Sequence, residues 1–370
     1  MQRLKWYEIN DTTKVISPSL LVYPDRIKKN IQLMLKIAGG TEFLRPHIKT
    51  HKMAEIIQMQ MKLGIYKFKC ATIAEAELLA GCGVQDILLA MQPVGPNISR
   101  FFSLMETYPN SKFSTLVDNA NTLDTFIVKA KSKNTTIDLW VDIDNGMHRT
   151  GIPAGPMAET LYERMVGSTY INARGLHAYD GHIYQSDFDE RKIACDLAFE
   201  PVSILRMKLE NKGLGPIKMV IGGSPTFPIH SKRANIETSP GTTLLWDERY
   251  STILKDMYFL TSSVLITRII SKPGSDLLCF DLGHKSIAPE MSFPRLKILG
   301  LEDCPQIAQS EEHLVVKCND GNKHKIGDVF YAIPMHICPT VAKYQSVSTV
   351  EDHKISGSWK VVARNQKLTI

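Results

Sequence analysis

The chain has 370 residues, 44% apolar and 22% charged, with a net charge of +6, enough material for one large α/β domain and a smaller companion. The basic residues are dispersed and do not interleave with aromatics, which argues against nucleic acid as a partner. No apolar run approaches the ~18 residues that a membrane span needs. Residues 1–14 contain no apolar signal-like core, and the seven cysteines follow no framework spacing. Both features predict a reduced, cytoplasmic protein.

In chain order, a short strand-like piece at 18–23 precedes an amphipathic stretch at 25–38. An alternation then begins. Strands are predicted at 43–49, 65–71, 86–91, 112–118, 137–143, 173–178, 217–222 and 235–240, separated by helices at 52–63, 72–80, 99–107, 120–131, 155–166 and 187–211. Thr72-Ile73-Ala74-Glu75 has the pattern of a capping box, and Gly64, Gly81 and Gly83 fall where helices should stop. Eight strands alternating with helices predict a (β/α)8 barrel over residues 24–252. Beyond it, the segments 258–270, 276–283, 313–318, 328–334 and 357–369 alternate or run β-branched. Together with residues 1–23 they predict a separate antiparallel β domain over 253–370.

The first predicted strand carries the most telling polar residues. Alternation puts Phe43, Arg45, His47 and Lys49 on one face, with Lys49 at the C-terminal end, the barrel mouth. Crowding by Arg45, His47, His51 and Lys52 would disfavour the Lys49 ammonium and leave a nucleophilic amine. A basic patch at a strand end is the plainer alternative. Gly222-Gly223-Ser224-Pro225-Thr226 and Pro240-Gly241-Thr242-Thr243 follow the seventh and eighth strands, where barrels commonly bind phosphate. Gly223, Ser224, Gly241 and Thr242 are the candidate cradle. In extended chain His336 and Cys338 would face the same way, a spacing that lets imidazole and thiolate grip one metal ion. A thiolate favours zinc over harder ions such as manganese.

The run Arg45-Pro46-His47-Ile48-Lys49-Thr50-His51-Lys52 resembles the cofactor segment of the D-threonine aldolase and D-serine dehydratase family, whose TIM barrel is shared with alanine racemase. The resemblance extends in order over nearly the whole chain. It continues through Val141-Asp142-Ile143-Asp144-Asn145-Gly146-Met147-His148-Arg149-Thr150-Gly151, through Gly175-Leu176-His177-Ala178-Tyr179-Asp180-Gly181-His182-Ile183-Tyr184, the two glycine loops, and Pro334-Met335-His336-Ile337-Cys338-Pro339-Thr340. It implies that Lys49 carries pyridoxal 5'-phosphate as a Schiff base and that Arg149 lies near the cofactor's phenolic oxygen. His177 and Tyr179 become candidates for the ring, His182 for acid/base work and Tyr184 for the phosphate. His336 and Cys338 become the metal pair; Cys matches the eukaryotic D-serine dehydratases, whereas aldolases usually carry Asp there. The implied protein is a homodimeric lyase of D-3-hydroxy-amino acids with a small-molecule substrate. A racemase of the alanine racemase class and a non-enzymatic cofactor carrier are the rival readings. The His-Cys pair argues against the first, and the β domain argues against the second.

Overall fold

The computed structural model describes residues 4–370. Its contacts divide the chain into two compact units. One comprises Met1–Gln32, Thr50–Ile56 and Thr242–Arg364, and the other Leu33–Lys49, Ile57–Gly241 and Asn365–Ile370. The first strand, β1 (Ser19–Val22), belongs to the former.

The second unit holds a parallel sheet: β2 (Lys67–Cys70), β3 (Asp86–Leu89), β4 (Lys112–Val117), β5 (Ile137–Asp144), β6 (Ile152–Pro153), β7 (Ile171–Ala178), β8 (Lys218–Ile221) and β9 (Ile236–Thr238). The order is β2-β3-β4-β5-β7-β8-β9, with β6 beside β5. Helices at Ile73–Gly81, Pro96–Thr107, Ala120–Ser132, Pro156–Val166 and Phe188–Asn211 connect successive strands, within a few residues of their predicted places. Thr72 caps the first of these by accepting the Glu75 N–H, while the Glu75 carboxylate takes the Ala71 N–H rather than that of Thr72.

The predicted strand at 43–49 is not a continuous strand. Two 3-10 turns, Thr41–Phe43 and Ile48–Thr50, flank a segment joined to the sheet by isolated parallel bridges, Leu44 to Thr238 and His47 to Lys69. The N–H groups of Arg45 and His47 donate to Thr238 and Pro240, and the Pro46 carbonyl accepts from Lys69. Pro46 has no N–H to offer in return, which interrupts the ladder. This seam closes the barrel between its first and last strands.

Inside, side chains stack in layers, as barrel interiors do. Arg45 is fully buried and donates to Asp86 and Glu237, both at 2.7 Å, while Lys67 donates to the other Glu237 oxygen at 2.6 Å. Arg174 and Lys112 approach Asp138 at 3.5 and 3.4 Å. An ion-paired lower layer results. Above it Leu88, Leu116, Trp140 and Val220 form an apolar layer, with the Trp140 indole N–H on Ser114. Gly175 (φ +140°) sits at a bulge of β7 against β5, where a Cβ would lie 2.0 Å from the Lys218 carbonyl oxygen.

The first unit is an antiparallel sheet built on β10 (Ser263–Gly274), β11 (Leu277–Phe280), β12 (Leu296–Leu299), β13 (Gln306–Gln309), β14 (Leu314–Lys317), β15 (Val329–Pro334), β16 (Ser346–Glu351) and β17 (Lys354–Lys360). β1 pairs antiparallel with β10 and parallel with β16. Tyr7, Ile9, Leu21, Tyr23, Val264, Ile266, Tyr331 and Val350 make one core cluster of this unit. The strand expected at 357–369 ends at Lys360. β12, β13 and β16 fall outside the expected segments.

Candidate functional site

A cavity of about 430 Å³ opens at the C-terminal ends of the barrel strands. His47, Lys49, Lys69, Asp142, Arg149 and Tyr179 are among the side chains lining it. Lys49 is in the 3-10 turn after the seam, and its backbone N–H donates to His47 Nδ1 at 3.2 Å. The crowding expected around it is only partly present. Arg45 is tied to Asp86 and Glu237, and the fully buried His51 is held neutral by burial and by Lys52, its proton affinity pushed down to about 3.

Tyr179 follows β7, and three cations converge on its ring: Arg149 Cζ at 4.9 Å from the centroid, Lys49 Nζ at 5.4 Å and Lys69 Nζ at 5.8 Å. The ring lies against two glycines. A Cβ on Gly181 would lie 2.4 Å from it, and one on Gly223 would lie 2.9 Å away. Arg149 is presented by a loop that folds on Asp144, which accepts the N–H groups of Gly146 and His148 at 3.0 Å and the His148 imidazole at 2.9 Å. Gly151 (φ +97°) closes this loop where a Cβ would lie 2.5 Å from the Asp144 nitrogen.

Beneath Tyr179, β5 and β7 hold a buried chain. Asp142 Oδ1 is 2.7 Å from His177 Nδ1, and His177 Nε2 is 2.9 Å from Lys69 Nζ. The carboxylate fixes the proton on Nδ1, so Nε2 accepts from Lys69. Burial and the Lys69 cation together depress the His177 imidazolium, against the pull of Asp142. His177 thus reaches the cavity from one layer below Tyr179.

The glycine loop after β8 is pinned from the side. Thr226 accepts the Gly223 N–H and donates to Asp180, whose other oxygen is 2.8 Å from His230 Nε2. The Gly241 N–H donates to Ser224 at 3.1 Å, so the two predicted anion loops meet within the barrel unit. Thr242 belongs to the other unit, where it opens a 3-10 turn. His182 and Tyr184 are exposed and are not part of the cavity lining.

Asp180, Cys195 and His230 are fully buried and place three ligand-type atoms within 4.8 Å of one another, enough for a metal ion and invisible as a motif. Cys195 Sγ is 3.3 Å from His230 Nε2, and burial followed by Asp180 pushes the thiol up to about 12. A neutral thiol and an imidazole already bonded to carboxylate describe a hydrogen-bonded clasp under the glycine loop.

His336 and Cys338 do not share a strand face. β15 stops at Pro334, His336 caps a short helix, and Cys338 lies inside it (Ile337–Val341), with Pro339 tolerated because it falls in the first turn. The two side chains still meet. Burial alone would depress the imidazole, but Cys338, Asp247 and Glu290 carry it up to about 9. Glu290 contacts His336 Nδ1 at 2.6 Å, and the Thr50 and Thr242 hydroxyls are 3.1 and 3.5 Å from Cys338 Sγ. Asp247 seats the turn by accepting the Ile337 N–H. Lys69, Asp180, Asp247 and Glu290 escaped the sequence reading. For Lys69 a signal existed, because two inward lysines in Lys67-Phe68-Lys69-Cys70 break the apolar run usual in parallel strands.

The profile of the alanine racemase N-terminal domain matches residues 22–247, and that of a putative serine dehydratase domain matches residues 262–350. The D-threonine aldolase of an Arthrobacter species is 27% identical over 357 residues, spanning 95% of this chain and 93% of the relative. The D-serine dehydratase of Dictyostelium discoideum is 24% identical over 390 residues, spanning 95% and 98%. A crystal structure of D-threonine aldolase from Filomicrobium marinum superposes with a TM-score of 0.86 at 23% identity, covering 95% of each chain, which supports the same fold. With the first profile spanning more than half of its length, this chain belongs to the alanine racemase N-terminal domain family.

Proposed function

We propose that this protein is a lyase of D-3-hydroxy-amino acids that uses pyridoxal 5'-phosphate and a divalent metal, zinc in the first place. The observation that carries the reading is the amine of Lys49 at the rim of a barrel-mouth cavity, facing Tyr179 together with Arg149. Aldolases and dehydratases of such amino acids among the relatives support it. The residues fit the cofactor. The cavity is within the ~300–1,000 Å³ of small-molecule sites, Gly223 lets the Tyr179 ring lie close against its loop, and Ser224 and Gly241 bring hydroxyl and N–H groups to one place. The donor set at His336 and Cys338, one imidazole and one thiol with a carboxylate on the imidazole's other side, fits zinc with water completing the shell.

When bound, the cofactor supplies an electron sink for the bond broken at the substrate's α-carbon. Lys49 would hold the cofactor's aldehyde carbon, and its amine is the one placed to take a proton from the substrate. Arg149 is the cation nearest the face of Tyr179 and would hold negative charge on the cofactor. Tyr179 gives the ring an apolar floor, fixed by its contact with Gly181 and Gly223. His177, neutral and tied to Asp142, presents no free charge to that floor. His336 and Cys338 would hold a metal, which would supply a Lewis acid for the substrate's β-hydroxyl. His182 and Tyr184 remain candidates for acid/base work and for the phosphate, and Thr242 for a further hydroxyl. A cytoplasmic homodimer is part of the same reading.

Two bonds are open to this constellation. Cys338 in place of an aspartate favours dehydration; the Tyr179-Asp180-Gly181-His182 loop favours aldol cleavage. Product analysis with D-serine, D-threonine and 3-hydroxy-D-aspartate, with and without chelator, separates them. Pyruvate and ammonia from D-serine mean dehydration; glycine and acetaldehyde from D-threonine mean cleavage. Activity indifferent to chelator rejects the metal. The Lys49→Ala protein should lose the visible absorbance of the loaded enzyme, and its persistence would overturn the cofactor assignment.

A further inference from the structure

The reaction proposed above makes no use of Lys69. Its side chain is almost wholly buried, lines the same cavity as Lys49, and ends 2.9 Å from His177 Nε2. Both lysines face the Tyr179 ring, at 5.4 and 5.8 Å, with Arg149 at 4.9 Å. Every other titratable group around it is accounted for. Asp142, from β5, is committed to His177; Asp180, after β7, is committed to Thr226 and His230; His47, from the seam, accepts the Lys49 N–H; Asp118, after β4, accepts the Gly151 N–H. Burial first, and the Lys49 cation second, bring the Lys69 ammonium down to about 7, with Arg149 adding to the effect and Asp142 and Asp180 opposing it.

We propose that Lys69 answers to the charge on Lys49, so that capping Lys49 with an aldehyde leaves Lys69 as the resident ammonium, bonded to His177 and through it to Asp142. The last step rests on the reading that Lys49 binds the cofactor. Its consequence lies in the amine exchange. A substrate entering as the free amine forms its C=N bond as the bond to the Lys49 nitrogen breaks. The proton stays on Lys69, and Lys49 returns beside a charged neighbour. Lys69 is a positioning residue in this scheme. It touches His177 and acts on Lys49 through space.

The test is a titration of the Lys69 side chain by NMR in full-length protein labelled at lysine Cε, with the signal assigned by its loss in Lys69→Met. Lys69→Arg serves the same purpose if the Met variant does not fold. Without cofactor the midpoint should fall near neutrality. In Lys49→Gln, and separately on loading wild-type protein with pyridoxal phosphate, it should rise by about one pH unit or more, a tenfold gain in proton affinity. A midpoint that moves in neither case, or one already alkaline in unloaded wild-type protein, overturns the proposal. Borohydride reduction of the loaded protein followed by peptide mapping checks the other reading independently. A pyridoxyl group away from Lys49 would reject the cofactor assignment, while the Lys49→Gln titration would still decide whether Lys69 answers to the Lys49 charge.

Discussion

Gly223 and Gly181 show how single atoms set the pocket. Each has the Tyr179 ring where a Cβ would go, at 2.9 and 2.4 Å, and a ring covered by the Lys49, Lys69 and Arg149 side chains has little freedom to retreat. Gly223→Ala is therefore expected to push Tyr179 into the cavity and weaken cofactor binding by about tenfold or more, at a stability cost of ~1–3 kcal/mol. Absorbance titration with pyridoxal phosphate measures the first effect and urea denaturation the second. Arg45 belongs to a different account. Burial would raise the Asp86 carboxyl, and the Arg45 guanidinium beside it more than reverses that. Arg45→Met leaves Asp86 and Glu237 facing a neutral side chain in the barrel and should cost ~3–5 kcal/mol. A carboxyl whose folded affinity for protons lies below its ordinary value contributes stability above that value and loses it as pH falls through the folded one. The Asp86–Arg45 contribution should therefore be intact at neutral pH and decline below about pH 4. The gap between the two proteins' urea midpoints should narrow there, and a constant gap would show that the pair contributes nothing.

At the scale of elements, the helices were the most legible part of the chain. The capping box at Thr72 and the 3.6-residue periodicity place them within a few residues, and in the structure Asn119 and Asp187 cap two more. The seam and the metal turn were not legible, for related reasons. In residues 43–49 the alternation of polar and apolar side chains is that of a strand, but the backbone at Pro46 cannot ladder, and pattern reading does not weigh a missing N–H. At 334–340 the apolar run continues from β15, whereas the chain turns into a helix because Asp247, ninety residues away in sequence, accepts the Ile337 N–H. The Asp180-Cys195-His230 clasp joins three elements and has no sequence spacing at all. Asp247 also carries a prediction. Asp247→Ala removes the acceptor that seats the His336–Cys338 turn and should weaken zinc binding ~10–100-fold. Competition with a chromophoric chelator measures this, and unchanged affinity would mean that Glu290 and the helix alone orient the pair.

For the molecule as a whole, the polar chemistry sits above an apolar layer and an ion-paired one, so ligand binding at the mouth adds to a barrel already closed below. Saturating pyridoxal phosphate should stabilise the wild-type chain against urea by ~3 kcal/mol at a hundredfold excess over its dissociation constant. Lys49→Ala should lose most of that gain, as the urea midpoint with and without cofactor will report. The seam adds one consequence. The barrel is stapled shut by two isolated bridges and a few carbonyl contacts, at the stretch of chain that ends in Lys49. Hydrogen exchange should find its weakest latch there, with the Arg45, His47 and Lys69 amides opening well before those of β5. Lys49 then hangs on the barrel's hinge stile, and each breath of the cylinder carries it.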